Sequence, residues 1–358
     1  MTRCDIVIPV WDQLEVTREC VESIRKHTAQ PYRLIVVDNG SSVDTKIYLE
    51  ALKDLFKTDM LLLRNERNLG FVKAVNQALR SSDAPYVCLL NNDTVVTDGW
   101  LSEMIKVFES NPGLGILNPS SNTLGQFPSQ GMTIDSYAAG IRVYSLQTQE
   151  LYTCRGFCML IKREVIDKVG LLDEAYGIGY FEETDYCKRA QGAGFKMARA
   201  KASYVYHKES ATFKTVESKG ELFAKNEKIF LKRWGRPLRV GYLVGTRAPD
   251  GKVEDAAMAI ARSGHQVFIF LKNGLEWPVK SDHFEIRRLD ASRNFFVISS
   301  ICKVLKRRRK KRIDVLVTES APLGSFLRMI KFLHGSDVMV SPDKTSLMAV
   351  LEDRSRRI

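Results

Sequence analysis

No apolar run in this sequence approaches the roughly 20 residues needed to cross a bilayer. Met1-Thr2-Arg3 leads straight into Cys4-Asp5-Ile6-Val7-Ile8-Pro9, without the apolar core of a signal peptide. Both absences lead us to expect a cytoplasmic protein. Metal-type cysteine pairs are missing too. The seven cysteines are scattered, and only Cys154 and Cys158 lie close together, without a partner pair at zinc spacing. They read as reduced core or site-lining thiols. No motif for RNA or DNA accompanies the formal charge of +12, so nucleic acid is not an expected partner. Internal repeats and low-complexity tracts are also absent.

What is present is a folded-protein composition, 44% hydrophobic and 27% charged over 358 residues, long enough for two cores. The charge is uneven. From Leu238 onward 23 Lys and Arg stand against 13 Asp and Glu, which places +10 of the +12 in the last third. Two domains are expected, residues 1–236 and a basic unit over 238–358.

The first part alternates short β-branched runs with amphipathic stretches, the pattern of a mostly parallel sheet covered by helices. Strands are expected at Ile6–Val10, Arg33–Val37, Met60–Arg64 and Tyr86–Leu90. Helices are expected at Val16–His27, Thr45–Phe56, Phe71–Ser81 and Trp100–Ser110. Residues 118–149, rich in Ser, Gly, Asn and Thr, read as an irregular excursion lining a site. A helical signal resumes over Lys162–Val169, and Leu222–Arg233 reads as a closing helix before Gly235-Arg236-Pro237. A second α/β pattern begins at Arg239, with strands Val240–Val244, Val267–Leu271 and Ile313–Thr318 and a helix over Val253–Ser263. It has the outline of a half-sized Rossmann-like unit. The run Lys306–Arg312 before its last strand reads either as a solvated helix end or as a patch for anionic lipid headgroups.

Ligands of such open sheets sit beyond the carboxyl ends of the strands, where Asp38-Asn39-Gly40-Ser41-Ser42 and Asn91-Asn92-Asp93 both fall. Asp38, after an apolar strand, suits either a local turn with Gly40 or a hydrogen bond from a pyrimidine imide. Asn68-Leu69-Gly70 opens a helix, and its glycine permits close backbone approach. Glu182, Glu183 and Asp185 crowd three carboxylates into four positions, which suits either a charged helix start or proton-transfer chemistry.

Seven landmarks occur in one order: Val7-Ile8-Pro9-Val10, Val36 to Ser42, Asn65 to Phe71, Leu89 to Thr94, Arg155 to Leu160, Phe181 to Cys187, and His207. In this order residues 3 to about 235 resemble family 2 glycosyltransferases of the GT-A fold, particularly the rhamnosyltransferase-like branch. The resemblance implies a nucleoside diphosphate sugar donor, UDP- or dTDP-linked, held by Pro9, Val10, Asp38, Asn39, Gly40, Asn68, Gly70, Asn91, Asn92 and Asp93. It implies a divalent cation, Mg2+ or Mn2+, on Asp93 and His207. Asn91 departs from the family's Asp-x-Asp pattern, because an amide supplies no charge. The family's general base falls on Glu183, between Glu182 and Asp185.

The reading expected from this sequence is therefore an inverting, metal-dependent glycosyltransferase of cell-surface glycan assembly, with a saccharide or lipid-linked saccharide acceptor. If the basic run 306–312 is a lipid-headgroup patch, it gives peripheral contact with an anionic membrane; as a solvated helix end it gives none. The alternative is a sugar-nucleotide binding module without turnover. A nucleotidyltransferase would show a glycine- and arginine-rich triphosphate loop near its start, and Pro9-Val10-Trp11-Asp12-Gln13 is not one.

Overall fold

The computed structural model describes residues 3–209, 219–246, 251–307 and 312–357. The chain divides into two compact units. One comprises Met1–Gln149 with Thr153–Ile229, and the other Glu150–Tyr152 with Phe230–Ile358.

In the first unit the strands are β1 (Cys4–Val10), β2 (Tyr32–Asp38), β3 (Met60–Arg64), β4 (Tyr86–Leu90), β5 (Thr94–Val96), β6 (Leu114–Ser120), β7 (Thr148–Leu151, whose last two residues belong to the second unit), β8 (Cys158–Lys162) and β9 (Lys196–His207). The helices are α1 (Leu14–His27), α2 (Val43–Phe56), α3 (Phe71–Arg80), α4 (Trp100–Ser110), α5 (Ile134–Ile141), α6 (Arg163–Val169), α7 (Glu182–Gly192) and α8 (Lys219–Trp234), the last running across the boundary between the units. The main path of the sheet runs β3-β2-β1-β4-β8-β6-β9-β5. Strands β1 to β4 are mutually parallel, β8 runs antiparallel to β4 and β6, and β5 runs antiparallel to β9.

Strand β1 is an almost unbroken buried run, as expected of a parallel strand covered on both faces. Helix α1 packs through Thr17, Cys20, Val21 and Ile24, spaced at helical period, and carries Arg25, Lys26 and His27 at its C-terminal end. Fully buried Trp100 anchors α4, its indole N–H donating to Thr28 Oγ1 at 2.9 Å.

The second unit holds β10 (Arg239–Val244), β11 (Gln266–Lys272), β12 (Ile286–Ala291), β13 (Val315–Thr318) and β14 (Asp337–Val340). Its helices are α9 (Lys252–Arg262), α10 (Phe296–Arg307), α11 (Ala321–Met329), α12 (Lys331–His334) and α13 (Lys344–Arg356). All five strands are parallel in the order β12-β11-β10-β13-β14. This is the Rossmann-like order, with its direction reversing between β10 and β13.

The stretch 118–149, expected to be irregular, begins inside β6 and contains the eight-residue α5. Of the basic run 306–312, residues 308–311 lie outside the described residues; Lys306 and Arg307 end α10. Among the described residues no helix is long and apolar enough to cross a membrane.

Candidate active site

The loops after β1, β2 and β4 meet at one rim because the register pairs Val10 with Asp38 and Val7 with Leu89. Asn39 N–H donates to Val10 O at 2.8 Å, closing the β2 loop onto the end of β1. Asp12 and Gln13, both in the left-handed region at φ 54° and 59°, turn the chain from β1 into α1. Asp12 N–H donates to Ser41 Oγ at 2.9 Å, and Asp12 Oδ1 accepts from Ser42 N–H at 2.7 Å.

Asp38 is buried, with 1% of its surface exposed. Its Oδ1 accepts from Ser41 N–H at 2.9 Å, and its Oδ2 pairs with Arg64 at the end of β3. Arg64 also donates to Ser41 O at 3.2 Å. The carboxylate therefore anchors its own turn, and because it offers about four acceptor positions it retains capacity for a further donor. Sequence reasoning missed Arg64; its one signal was its place at the end of a strand flanking the Asp38 loop.

Asn39 and Asn68 also turn inward. Asn39 Nδ2 donates to Asn68 Oδ1 at 2.7 Å, while Asn39 Oδ1 accepts from Asn65 Nδ2 and from Leu69 N–H, both at 3.0 Å. These side chains join the two loops into one wall. Gly40, at φ 80°, lets the Arg67 backbone approach so closely that a Cβ would lie 2.6 Å from it. At Gly70, φ 86°, a Cβ would lie 3.1 Å from Ile178 Cα. The two glycines are thus required by close packing inside the wall as well as by backbone conformation.

At the end of β4, Asn91 N–H donates to Phe157 O at 2.9 Å, and Asn92 Nδ2 donates to Thr17 Oγ1 on α1 at 2.8 Å. Register pairs Thr94 with His207, which brings the preceding Asp93 beside the histidine. Asp93 Oδ1 and His207 Nε2 stand 3.1 Å apart, and Asn91 Nδ2 is 3.5 Å from the same nitrogen. The other ring nitrogen, Nδ1, lies 3.0 Å from Thr123 Oγ1, and Phe157 stacks on the imidazole at 5.3 Å between centroids. Thr123 and Phe157 thus hold the ring with Nε2 toward Asp93, the arrangement that outer partners give a metal-ligating histidine. Thr123 had no signal in a stretch read as an irregular excursion. Among the described residues no group of three or more His, Cys, Asp or Glu side chains is placed to hold an ion. The pair nonetheless fits a hard cation that takes its remaining oxygens from a diphosphate and water.

The third part of the site is the start of α7. Tyr180 and Phe181, both at φ 72°, turn the chain into it, and Asn226 of α8 holds that turn by donating to Tyr176 O and Gly179 O at 2.7 Å each. Glu182 is buried, with 6% exposed, and Glu183 is half-buried. The Oε2 atom of each is buried without a hydrogen-bond partner among the described residues. Burial first, and then the charge of Glu183, push the Glu182 carboxyl well above the ordinary range. Burial also raises Glu183, opposed by its own backbone hydrogen bond and by the charge of Arg155. Asp185 is engaged differently: Arg189 Nε donates to its Oδ2 at 2.9 Å and Tyr176 OH to its Oδ1 at 3.3 Å. Because Arg189 also donates to Val169 O and Leu171 O, Asp185 pins α7 to the segment after α6.

Residues 154–158 tie these parts together. Cys154 N–H donates to Cys187 Sγ on α7 at 3.3 Å, and Arg155 N–H donates to Asn118 Oδ1 at 2.7 Å. Asn118 in turn donates to Cys158 O at 2.6 Å. A Cβ on Gly156 would lie 4.0 Å from Glu183 Cβ, and Phe157 packs on His207. One short segment therefore passes beside Glu183 and packs on His207. Pro9 and Val10 lie in β1 behind the rim, with Val10 buried.

Residues 5–170 match the family described as glycosyl transferase family 2. An uncharacterized protein of Sinorhizobium fredii is 30% identical over 250 residues, which cover 64% of this chain and 27% of that protein. Teichoic acid poly(glycerol phosphate) polymerase of Staphylococcus epidermidis is 28% identical over 115 residues, 32% of this chain and 16% of the polymerase. Poly-beta-1,6-N-acetyl-D-glucosamine synthase of the same species is 27% identical over 174 residues, 47% of this chain and 41% of the synthase. The chain spans less than half the length of each of these relatives. Among solved structures, a mannosyltransferase from Pyrobaculum calidifontis in complex with GDP-Man and Mn2+ is similar at 15% identity and a TM-score of 0.47, over 59% of this chain and 58% of that one. Residues 5–170, which take in nearly all of strands β1 to β8 and the helices between them, are thus similar to glycosyl transferase family 2.

Proposed function

We propose that residues 1–236 form the catalytic domain of an inverting, cation-dependent glycosyltransferase that moves a sugar from a UDP or dTDP donor to an acceptor hydroxyl. The observation that carries this reading is the segment 154–158, which passes beside Glu183 at Gly156 and stacks Phe157 on His207. In this reading one short segment links the proton acceptor to the charge-stabilising pair.

In this reading the loops around Asp38 and Gly70 hold the nucleotide, with Asp38 accepting from the base imide. Asp93 and His207 hold the cation, and Asn91 and Asn92 shape the turn beside them. When bound, the cation supplies positive charge against the departing diphosphate. Glu183 takes the proton of the acceptor hydroxyl as that oxygen bonds to the anomeric carbon, and the electron pair of the broken sugar–phosphate bond leaves on the diphosphate oxygen. Glu182 is buried, and burial and the charge of Glu183 hold its carboxyl well above the ordinary range, which disfavours a second negative charge beside the base.

Assembly of a cell-surface glycan on the cytoplasmic side, with a lipid-linked acceptor, extends this reading and rests on family analogy. Peripheral membrane contact through residues 306–312 rests on composition. The test of the donor class is thermal stabilisation of the full chain by UDP- and dTDP-sugars with and without Mg2+ or Mn2+, since a ligand of the native state raises its apparent stability. Cation-dependent stabilisation by one of these donors is expected; stabilisation by none of them removes the nucleotide-sugar reading.

A further inference from the structure

The sheet of the second unit reverses its strand order between β10 and β13, and in open parallel sheets that point opens a crevice at the carboxyl ends of the two strands. A cleft of about 180 Å³ lies there, walled by the ends of β10 and β13 and by the first turns of α10 and α11. None of the sugar-transfer chemistry argued above uses it.

Its lining is specific in kind. Leu243, Val244, Val297 and Leu323 supply apolar walls. The ring of Phe296 lies so close to Gly245 that a Cβ on the glycine would sit 2.7 Å from it. Thr246, Thr318 and Ser320 bring hydroxyls, and Glu319 brings the single charged side chain among the described residues of the lining. Glu319 is held from behind: buried Tyr242 donates its hydroxyl to Oε1 at 2.6 Å, and Lys252 Nζ donates to Oε2 at 2.6 Å. Burial opposes its ionisation, but these bonds hold the carboxyl below its ordinary range.

From this lining we infer that the second unit binds a neutral monosaccharide ring at its switch point. A fixed carboxylate accepts hydrogen bonds from vicinal hydroxyls, serine and threonine hydroxyls donate or accept as required, and an aromatic wall covers the C–H face of the ring. The size suits a single ring, being below the about 300–1,000 Å³ of clefts for drug-sized ligands or cofactors. A phosphate or carboxylate ligand would bring a second negative charge beside Glu319, and a purely apolar ligand would offer no hydrogen bond to the carboxylate and hydroxyls at the mouth. The inference goes beyond the donor reading and does not depend on it.

The test uses the full chain with labelled Leu, Val and Ile methyl groups, titrated at millimolar concentration with methyl β-D-glucoside, methyl α-D-mannoside, methyl α-L-rhamnoside and, separately, inorganic phosphate. At least one glycoside should move the methyl resonances of Leu243, Val244, Val297 and Leu323. Thr246→Trp, at an exposed rim position, should abolish those shifts while leaving the remaining methyl spectrum in place. The inference is overturned if no glycoside moves these resonances, if phosphate moves them and the glycosides do not, or if the Thr246→Trp protein keeps the response. Donor binding in the first unit, followed by thermal shift on the same samples, reports separately on the catalytic reading.

Discussion

Glu182→Gln is the perturbation that separates the two glutamates at the start of α7. Glu182 is 6% exposed and its Oε2 has no partner among the described residues, so an ionised side chain there carries an uncompensated desolvation cost. A buried unsatisfied group of this kind costs about 1–3 kcal/mol. The neutral amide keeps the shape and never ionises, so the variant is spared the cost of neutralising the carboxyl on folding and should be more stable at pH 7, by about 1.4 kcal/mol for each pH unit by which the carboxyl is raised. For a domain of this size each kcal/mol raises the midpoint by about 2–4 °C. The pH dependence has a definite sign. A carboxyl whose folded pKa is raised costs nothing through its titration while it is protonated in both states, and costs stability once the unfolded chain ionises at its ordinary pKa. The gain from Glu182→Gln should therefore be full near neutrality and vanish below the ordinary carboxylate range. Thermal unfolding followed by circular dichroism from acid to neutral pH measures it. A variant less stable at pH 7, or a gain that persists into acid, refutes the buried-proton account of this pair.

Four further outcomes follow from the same geometry. Glu183→Gln should lower transfer by about 10²–10⁴ while donor affinity stays nearly unchanged, whereas Glu182→Gln should cost far less; equal losses in steady-state assays would move the base assignment. Asp93→Asn should weaken cation-dependent donor binding, which calorimetry with and without Mn2+ reads, and unchanged affinity would take Asp93 out of the site. Gly40→Ala should destabilise the first unit by at least about 1–3 kcal/mol, since it adds a positive-φ penalty to a 2.6 Å clash with the Arg67 backbone; denaturant unfolding within error of the parent would count against the wall described here. His283, buried and held down to about 4, contributes stability above pH 6.5 that is lost as pH falls toward 4, so His283→Gln should flatten the acid limb of the unfolding profile.

The sequence was most legible where burial made it monotonous. Strands β1, β2, β3 and β4 are apolar runs bounded by turn residues, and Met60–Arg64 and Tyr86–Leu90 coincide with their expected limits. Strand β6, Leu-Gly-Ile-Leu-Asn-Pro-Ser, was hidden by its glycine, asparagine and proline, although all seven residues are buried. Strand β9 alternates lysine and arginine with small residues, and only its last part, Ala202 to Tyr206, reads as extended. Charged β12 and four-residue β14 are the two edges of the second sheet, where a strand needs only one neighbour and little apolar pattern.

In the site, residue types marked the loops, but the partners of each side chain did not follow from type. Asp38, Asn39 and Asn68 have the composition of ligand-binding residues, yet their hydrogen bonds knit loops to one another. Those bonds are set by tertiary contacts with Arg64, Asn65 and Leu69, about 26–30 residues away. Asp185, one of three crowded carboxylates in sequence, is distinguished from Glu182 and Glu183 only by Arg189 and Tyr176.

The central claim is that one domain transfers a sugar in a single displacement. Its most direct measurement is proton NMR of the reaction product, made with the full chain, Mn2+ or Mg2+, and a UDP- or dTDP-sugar of known anomeric configuration. A product of opposite anomeric configuration, lost in Glu183→Gln, is predicted; a product that retains the donor's configuration, or tight donor binding with neither transfer nor hydrolysis, contradicts the account.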